Sequence, residues 1–136
     1  MTDVGRRHLT DLRRGLLTLH KALLDWERAG YERQHGRQAP GEWLRIVMAD
    51  PQLAWLRPLS ELIVRIDLLL DADEDDAGQD LVTVLAQARE LVVPDEGGSP
   101  YARRYHAALQ EHPDAVFAHR DVMASLKRPG LRETLH

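Results

Sequence analysis

The sequence predicts an all-α fold: an up-down helical bundle of three to four main helices with additional short helices across its ends. Three observations predict it. Apolar residues recur at spacings of three and four along every long segment, and no stretch sustains the alternation of a strand. Prolines stand where helices would begin, at Pro40, Asp50-Pro51, Ser99-Pro100 and His112-Pro113. With 136 residues, 43% hydrophobic and 29% charged, the chain is long enough to bury a core without metals or crosslinks. The alternative architecture is a less regular, orthogonal helical domain.

The first helix is expected over residues 3–35. Leu9, Leu12, Leu16, Leu19, Leu23 and Trp26 form a bundle seam, and Leu17, Leu24 and Tyr31 widen it on one side. Gly36 is placed to end the helix with a left-handed cap. Pro40 opens a short helix through about Ala49, and Asp50 caps the next start. That third helix carries Leu53 and Leu56, is kinked or split by Pro58, and continues to about Leu70. Beyond Pro58 its inward face is Leu59, Leu62, Ile63, Ile66, Leu69 and Leu70. Residues 71–80 read as an acidic loop. A helix follows over about 80–92, with Leu81, Val84, Leu85, Ala88 and Leu91 inward, and Pro94 ends it. Ser99-Pro100 starts a helix to about Glu111, and His112-Pro113 starts the last, to about Lys127. Residues 1–127 are thus read as one bundle domain and 128–136, with the breaker Pro129-Gly130, as a flexible C-terminal tail.

Composition removes several function classes. There is no cysteine, which rules out disulfides, thiolate metal sites and cysteine nucleophiles and fits a reducing, cytoplasmic compartment. No signal peptide is legible, because Asp11, Arg13 and Arg14 interrupt the N-terminal apolar positions. The apolar run over 62–70 is broken by Arg65 and Asp67, so no membrane span is expected. Arg6, Arg7, Arg13, Arg14 and the pair Arg103-Arg104 could contact phosphate. Asp3, Asp11 and a net charge of −4 argue against a nucleic-acid partner. The basic residues are nearly all arginine, Lys21 and Lys127 excepted, a bias that reads as GC-rich bacterial codon usage.

Known motifs fail on their spacing. Glu32 and His35 have the Glu-x-x-His spacing of di-iron bundles, but no second such pair exists. Asp71, Asp73 and Asp75 suggest a calcium loop, yet Asp76 and Val82 stand where Gly and Glu are required. No Gly-x-Ser-x-Gly elbow or phosphate-binding glycine loop occurs. No cofactor is implied.

One pattern is unusual. Arg13, His20 and Glu27, seven residues apart, form a polar column beside the leucines of the first helix, and Glu27 falls under Leu9 and Leu16. Ser60 and Asp67, also seven apart, flank the apolar face after Pro58, and His119 sits among apolar residues of the last helix. Buried polar groups must be paired. Glu27 is therefore expected to be buried and bonded to a basic or hydroxyl group of another helix, with Arg65, His119 and Ser60 as candidates. The bland reading is a hydrogen-bond network that fixes helix register. The sharper one is a metal or acid–base site of His20, Glu27, Asp67 and His119. A partner interface is a third, and a bundle enclosing a small-molecule cavity a fourth. Trp43, Trp55 and Tyr101 are read as core residues, with a role as partner anchors the alternative. The leading functional expectation is a non-enzymatic interaction protein, forming a homodimer through the first helix or the Trp43–Trp55 region.

The stretch from His20-Lys21-Ala22-Leu23-Leu24-Asp25-Trp26-Glu27-Arg28 to Tyr31-Glu32, and that from Asp50-Pro51 through Ala54-Trp55-Leu56-Arg57-Pro58 to Asp67, resemble a group of small, uncharacterised bacterial helical proteins. The resemblance covers about the first half of the chain. It implies a bacterial origin and brings no activity or functional residue with it.

Overall fold

The structure is a computed structural model that describes residues 2–72 and 77–128, without the side chains of 77–79. All regular structure in it is helical: α1 (Asp3–His35), α2 (Pro40–Ala49), a 3₁₀ segment (Pro51–Leu56), α3 (Arg57–Asp71), α4 (Ala77–Leu91), α5 (Pro100–Glu111) and α6 (Pro113–Leu126). Among the described residues there is no strand. Helices α1, α3, α4 and α6 form the bundle, with α1 packed between α6 and α3, and α3 between α1 and α4. The two short helices α2 and α5 both contact the 3₁₀ segment, at one end of the bundle.

Local chemistry sets the ends of these elements. Thr2, Asp50 and Ser99 each accept a backbone N–H of the first turn with a side-chain oxygen. His112 stands at the N-cap of α6 but makes no such bond. Pro58 does split its helix: a 3₁₀ segment precedes it, and it takes an early position in α3, where a missing N–H leaves no gap in the ladder. Gly36 ends α1 at φ 85° and ψ 169° while its N–H reaches Glu32 O at 2.8 Å. The positive φ was expected, but the extended ψ corrects the left-handed cap read from the sequence. That combination is open essentially to glycine alone.

The five seam leucines of α1 are fully buried, as are Leu59, Leu62, Ile66, Leu81, Leu85 and Tyr105. Each such leucine stabilises the fold by about 1.5–3 kcal/mol relative to an exposed one. Gly15 lets α6 approach α1 closely, since a Cβ there would lie 3.3 Å from Val122 Cγ2. Three expectations are corrected. α4 begins earlier than residue 80; Val92, in the turn after α4, is buried while Leu91 is only half-buried; and Leu70 is half-buried. Residues 73–76 of the acidic loop, with Asp73, Asp75 and Asp76, lie outside the described residues, as does the expected tail beyond Arg128. No helix is long and apolar enough to cross a membrane, among the described residues.

Candidate functional site

The polar column of α1 meets a partner at every step. Arg13 Nε donates to Asp67 Oδ1 of α3 in an ion pair whose two side chains stay about 40% exposed. His20 Nε2 and Ser60 Oγ of α3 share a hydrogen bond of 2.8 Å. Glu27 is 6% exposed, and its Oε1 accepts from Arg104 Nη2 at 2.7 Å, Arg104 Nε at 2.9 Å and Trp55 Nε1 at 3.2 Å. Heptad spacing on α1 and antiparallel heptad spacing on α3 therefore bring Arg13 to Asp67 and His20 to Ser60. Glu27, one heptad further, stands beyond the start of α3 and turns to the 3₁₀ segment and α5.

The burial of Glu27 and its pairing with a base from another helix match the sequence reading; the partner does not. Arg65 instead donates to Gln87 Oε1 of α4 at 2.8 Å, which links α3 to α4. His119 Nδ1 shares a 2.6 Å hydrogen bond with the Tyr105 hydroxyl, within α5 and α6. The four candidates His20, Glu27, Asp67 and His119 are thus held in four separate pairings. Among the described residues no three His, Asp or Glu side chains could hold one metal ion. Burial pushes the His20 and His119 imidazoles below their ordinary pKa, so both favour the neutral form.

Around Glu27 the side chains continue into a larger network. The Arg104 guanidinium lies 4.3 Å from the centre of the Trp26 ring, a cation–π contact. Trp26 Nε1 donates to Glu111 Oε2 at 2.7 Å. Trp55 packs on Tyr101, and Tyr101 on Tyr105. Burial raises the pKa of both tyrosines, and the Tyr101 hydroxyl has no hydrogen-bond partner among the described residues. Trp55 and Tyr101 are thus inside the packing, as read from sequence. Trp43 is also buried, against Tyr31 and near the Arg28 guanidinium.

A cleft of about 260 Å³ opens beside this network, lined by Trp26, Glu27, Arg33, Arg104 and Glu111 with neighbouring residues of α1 and the 3₁₀ segment. Glu111 is a functional candidate that sequence reasoning missed, and Arg104, read there only as a possible phosphate contact, is the base that pairs with Glu27. The available signal was Trp26 itself: an indole N–H in an apolar seam requires an acceptor. The basic residues read as phosphate contacts are partly engaged within the chain, Arg6 donating to Leu70 O, Arg13 to Asp67 and Arg104 to Glu27. Glu32, of the Glu-x-x-His pair, accepts the Gln38 N–H at 2.7 Å; that bond, then the Arg28 charge, holds its carboxyl below the usual range. Its companion His35 stacks on Tyr31 instead. No protein-family model, no curated protein and no solved structure matches the chain.

Proposed function

We propose that the protein is a non-enzymatic helical interaction protein whose partner is a second copy of this chain, met through the outer face of α2. One observation carries the reading: Leu44 and Met48, a turn apart on α2, are 59% and 75% exposed. The opposite side of the same ten-residue helix is anchored by buried Trp43. A helix apolar on both sides needs cover on both. The face is held in place, because Arg28 Nη2 donates to Gln38 O at 2.8 Å just before α2 and Asp50 caps the segment after it. Since α2 stands at one end of the bundle, a two-fold axis can bring it against its own copy, the commonest symmetry of protein assemblies. The pairing of every polar candidate on α1 supports a role without chemistry at those residues.

The chain is further read as a cytoplasmic bacterial protein folded as one domain over 1–127, supported by the absence of cysteine and the arginine bias. Light scattering tests the assembly. At about 50 µM, where a modest interface already associates, the expected mass is twice that of the chain. Leu44→Glu with Met48→Glu should return it to the monomer with unchanged helicity. A parent protein that is monomeric at that concentration refutes the reading.

A further inference from the structure

We infer that, in the homodimer proposed above, the two copies of α2 run antiparallel and Glu42 of each pairs with the partner's Arg45. The inference rests on that reading of α2 and adds what orients and selects the second copy. Successive residues of a helix stand about 100° apart. With buried Trp43 facing inward, Met48 faces directly out, Leu44 falls on one flank of the outward face, and Arg45 and Glu42 fall on the other. Met48, Leu44, Arg45 and Glu42 are all exposed. Neither Glu42 nor Arg45 takes part in a hydrogen bond or ion pair with any described residue.

Two-fold symmetry lets such a helix meet itself in two ways. With the axis parallel to the helices, opposite flanks meet, and Leu44 lies against the partner's Arg45 and the partner's Glu42. Each apolar side chain then takes charges out of water without pairing them, which is costly. With the axis perpendicular to both helices, the copies run antiparallel and like flanks meet. Leu44 then packs on the partner's Leu44. A centre between Trp43 and Leu44 sets Glu42 level with the partner's Arg45, and the symmetry makes the pair twice. The same centre leaves the two Leu44 positions only about 1.5 Å apart along the helix direction. One register therefore satisfies both flanks. An apolar helix of another protein would cover Leu44 and Met48 but leave Glu42 and Arg45 unmatched, so the charges select a second copy of this chain.

The test reverses these charges in the full-length chain and reads dimerisation by light scattering at low salt, where surface charges are least screened. Glu42→Arg alone sets arginine against arginine twice across the axis, and Arg45→Glu alone sets glutamate against glutamate twice. Each should weaken dimerisation by about tenfold or more, with helicity unchanged by circular dichroism. An equimolar mixture of the two variants restores opposite charges at both contacts, as does a double variant carrying both changes. Each should return to within about threefold of the parent. A monomeric parent refutes the dimer and this pairing with it. A dimeric parent whose single variants associate as tightly as it does overturns the pairing and leaves the dimer standing. So does a mixture, or a double variant, that stays as weak as the single variants.

Discussion

At Glu27 a carboxylate stands in the angular sector that Leu9, Leu16 and Leu23 fill along α1. Its burial was legible from that angle alone, and so was its need for a basic or hydroxyl partner, because an unpaired carboxylate there would be intolerable. The identity of that partner was not legible. Helix geometry fixes which face a residue shares, but not which turn of another helix stands opposite. Arg104 reaches Glu27 only because α5 lies against the 3₁₀ segment, and that depends on how residues 92–99 turn the chain. Glu27→Ala would strand the Arg104 guanidinium and the Trp55 N–H. It should destabilise the protein by about 1–3 kcal/mol, the upper end being reached only if Arg104, which is half-exposed, fails to recover water. Glu27→Gln keeps the shape and an acceptor oxygen and should cost less. Urea denaturation of the two variants beside the parent measures both values. Equal stability of all three would mean that the Arg104 pair contributes nothing net to the fold.

Among the elements, the sequence reading was most accurate where a start or stop has a local cause. Pro40, Ser99-Pro100 and His112-Pro113 marked the starts of α2, α5 and α6, and Gly36 marked the end of α1. It was least accurate at α4, whose N-terminus carries no proline and whose last inward residue, Val92, lies past the helix. Periodicity cannot place a residue once the chain has left the helix, so Leu91 was taken for Val92. Gly36 offers a sharp test at this scale. At φ 85° and ψ 169° a side chain is strained even though open space surrounds the position. Gly36→Ala should therefore cost about 1–3 kcal/mol through the backbone alone. The same change at Gly41, equally open and inside α2, should be neutral or slightly stabilising. Thermal unfolding of the two variants separates conformational strain from crowding; identical shifts would remove the case for strain at Gly36.

For the whole molecule, the two half-buried imidazoles bonded to Ser60 and Tyr105 make stability depend on pH. Burial lowers both pKa values from 6.5, so the unfolded chain binds more protons than the folded one just below neutrality. Their contribution is complete above about pH 6.5 and is lost as the pH falls through the depressed folded values. A second loss follows at lower pH. There Asp11, held down chiefly by its bond to Arg128, and Glu32, held down by the Gln38 N–H, take up protons in the folded state. Urea midpoints should fall between about pH 7.5 and pH 5, and His20→Asn with His119→Asn should flatten that fall. A parent midpoint that stays constant over the range would show that neither imidazole differs in proton affinity between the folded and unfolded chain. The column on α1 has a consequence of another kind. Leu9, Leu16 and Leu23 repeat every seven residues, as do Leu59 with Ile66 and Leu62 with Leu69, so α3 could slide along α1 by two turns and bury nearly the same surface. Greasy contacts cannot tell those alignments apart. After such a slide His20 would face Asp67, Glu27 would face Ser60, and Arg13 would look past the end of α3. The apolar seam supplies the driving force for collapse, and the three polar residues beside it carry the address.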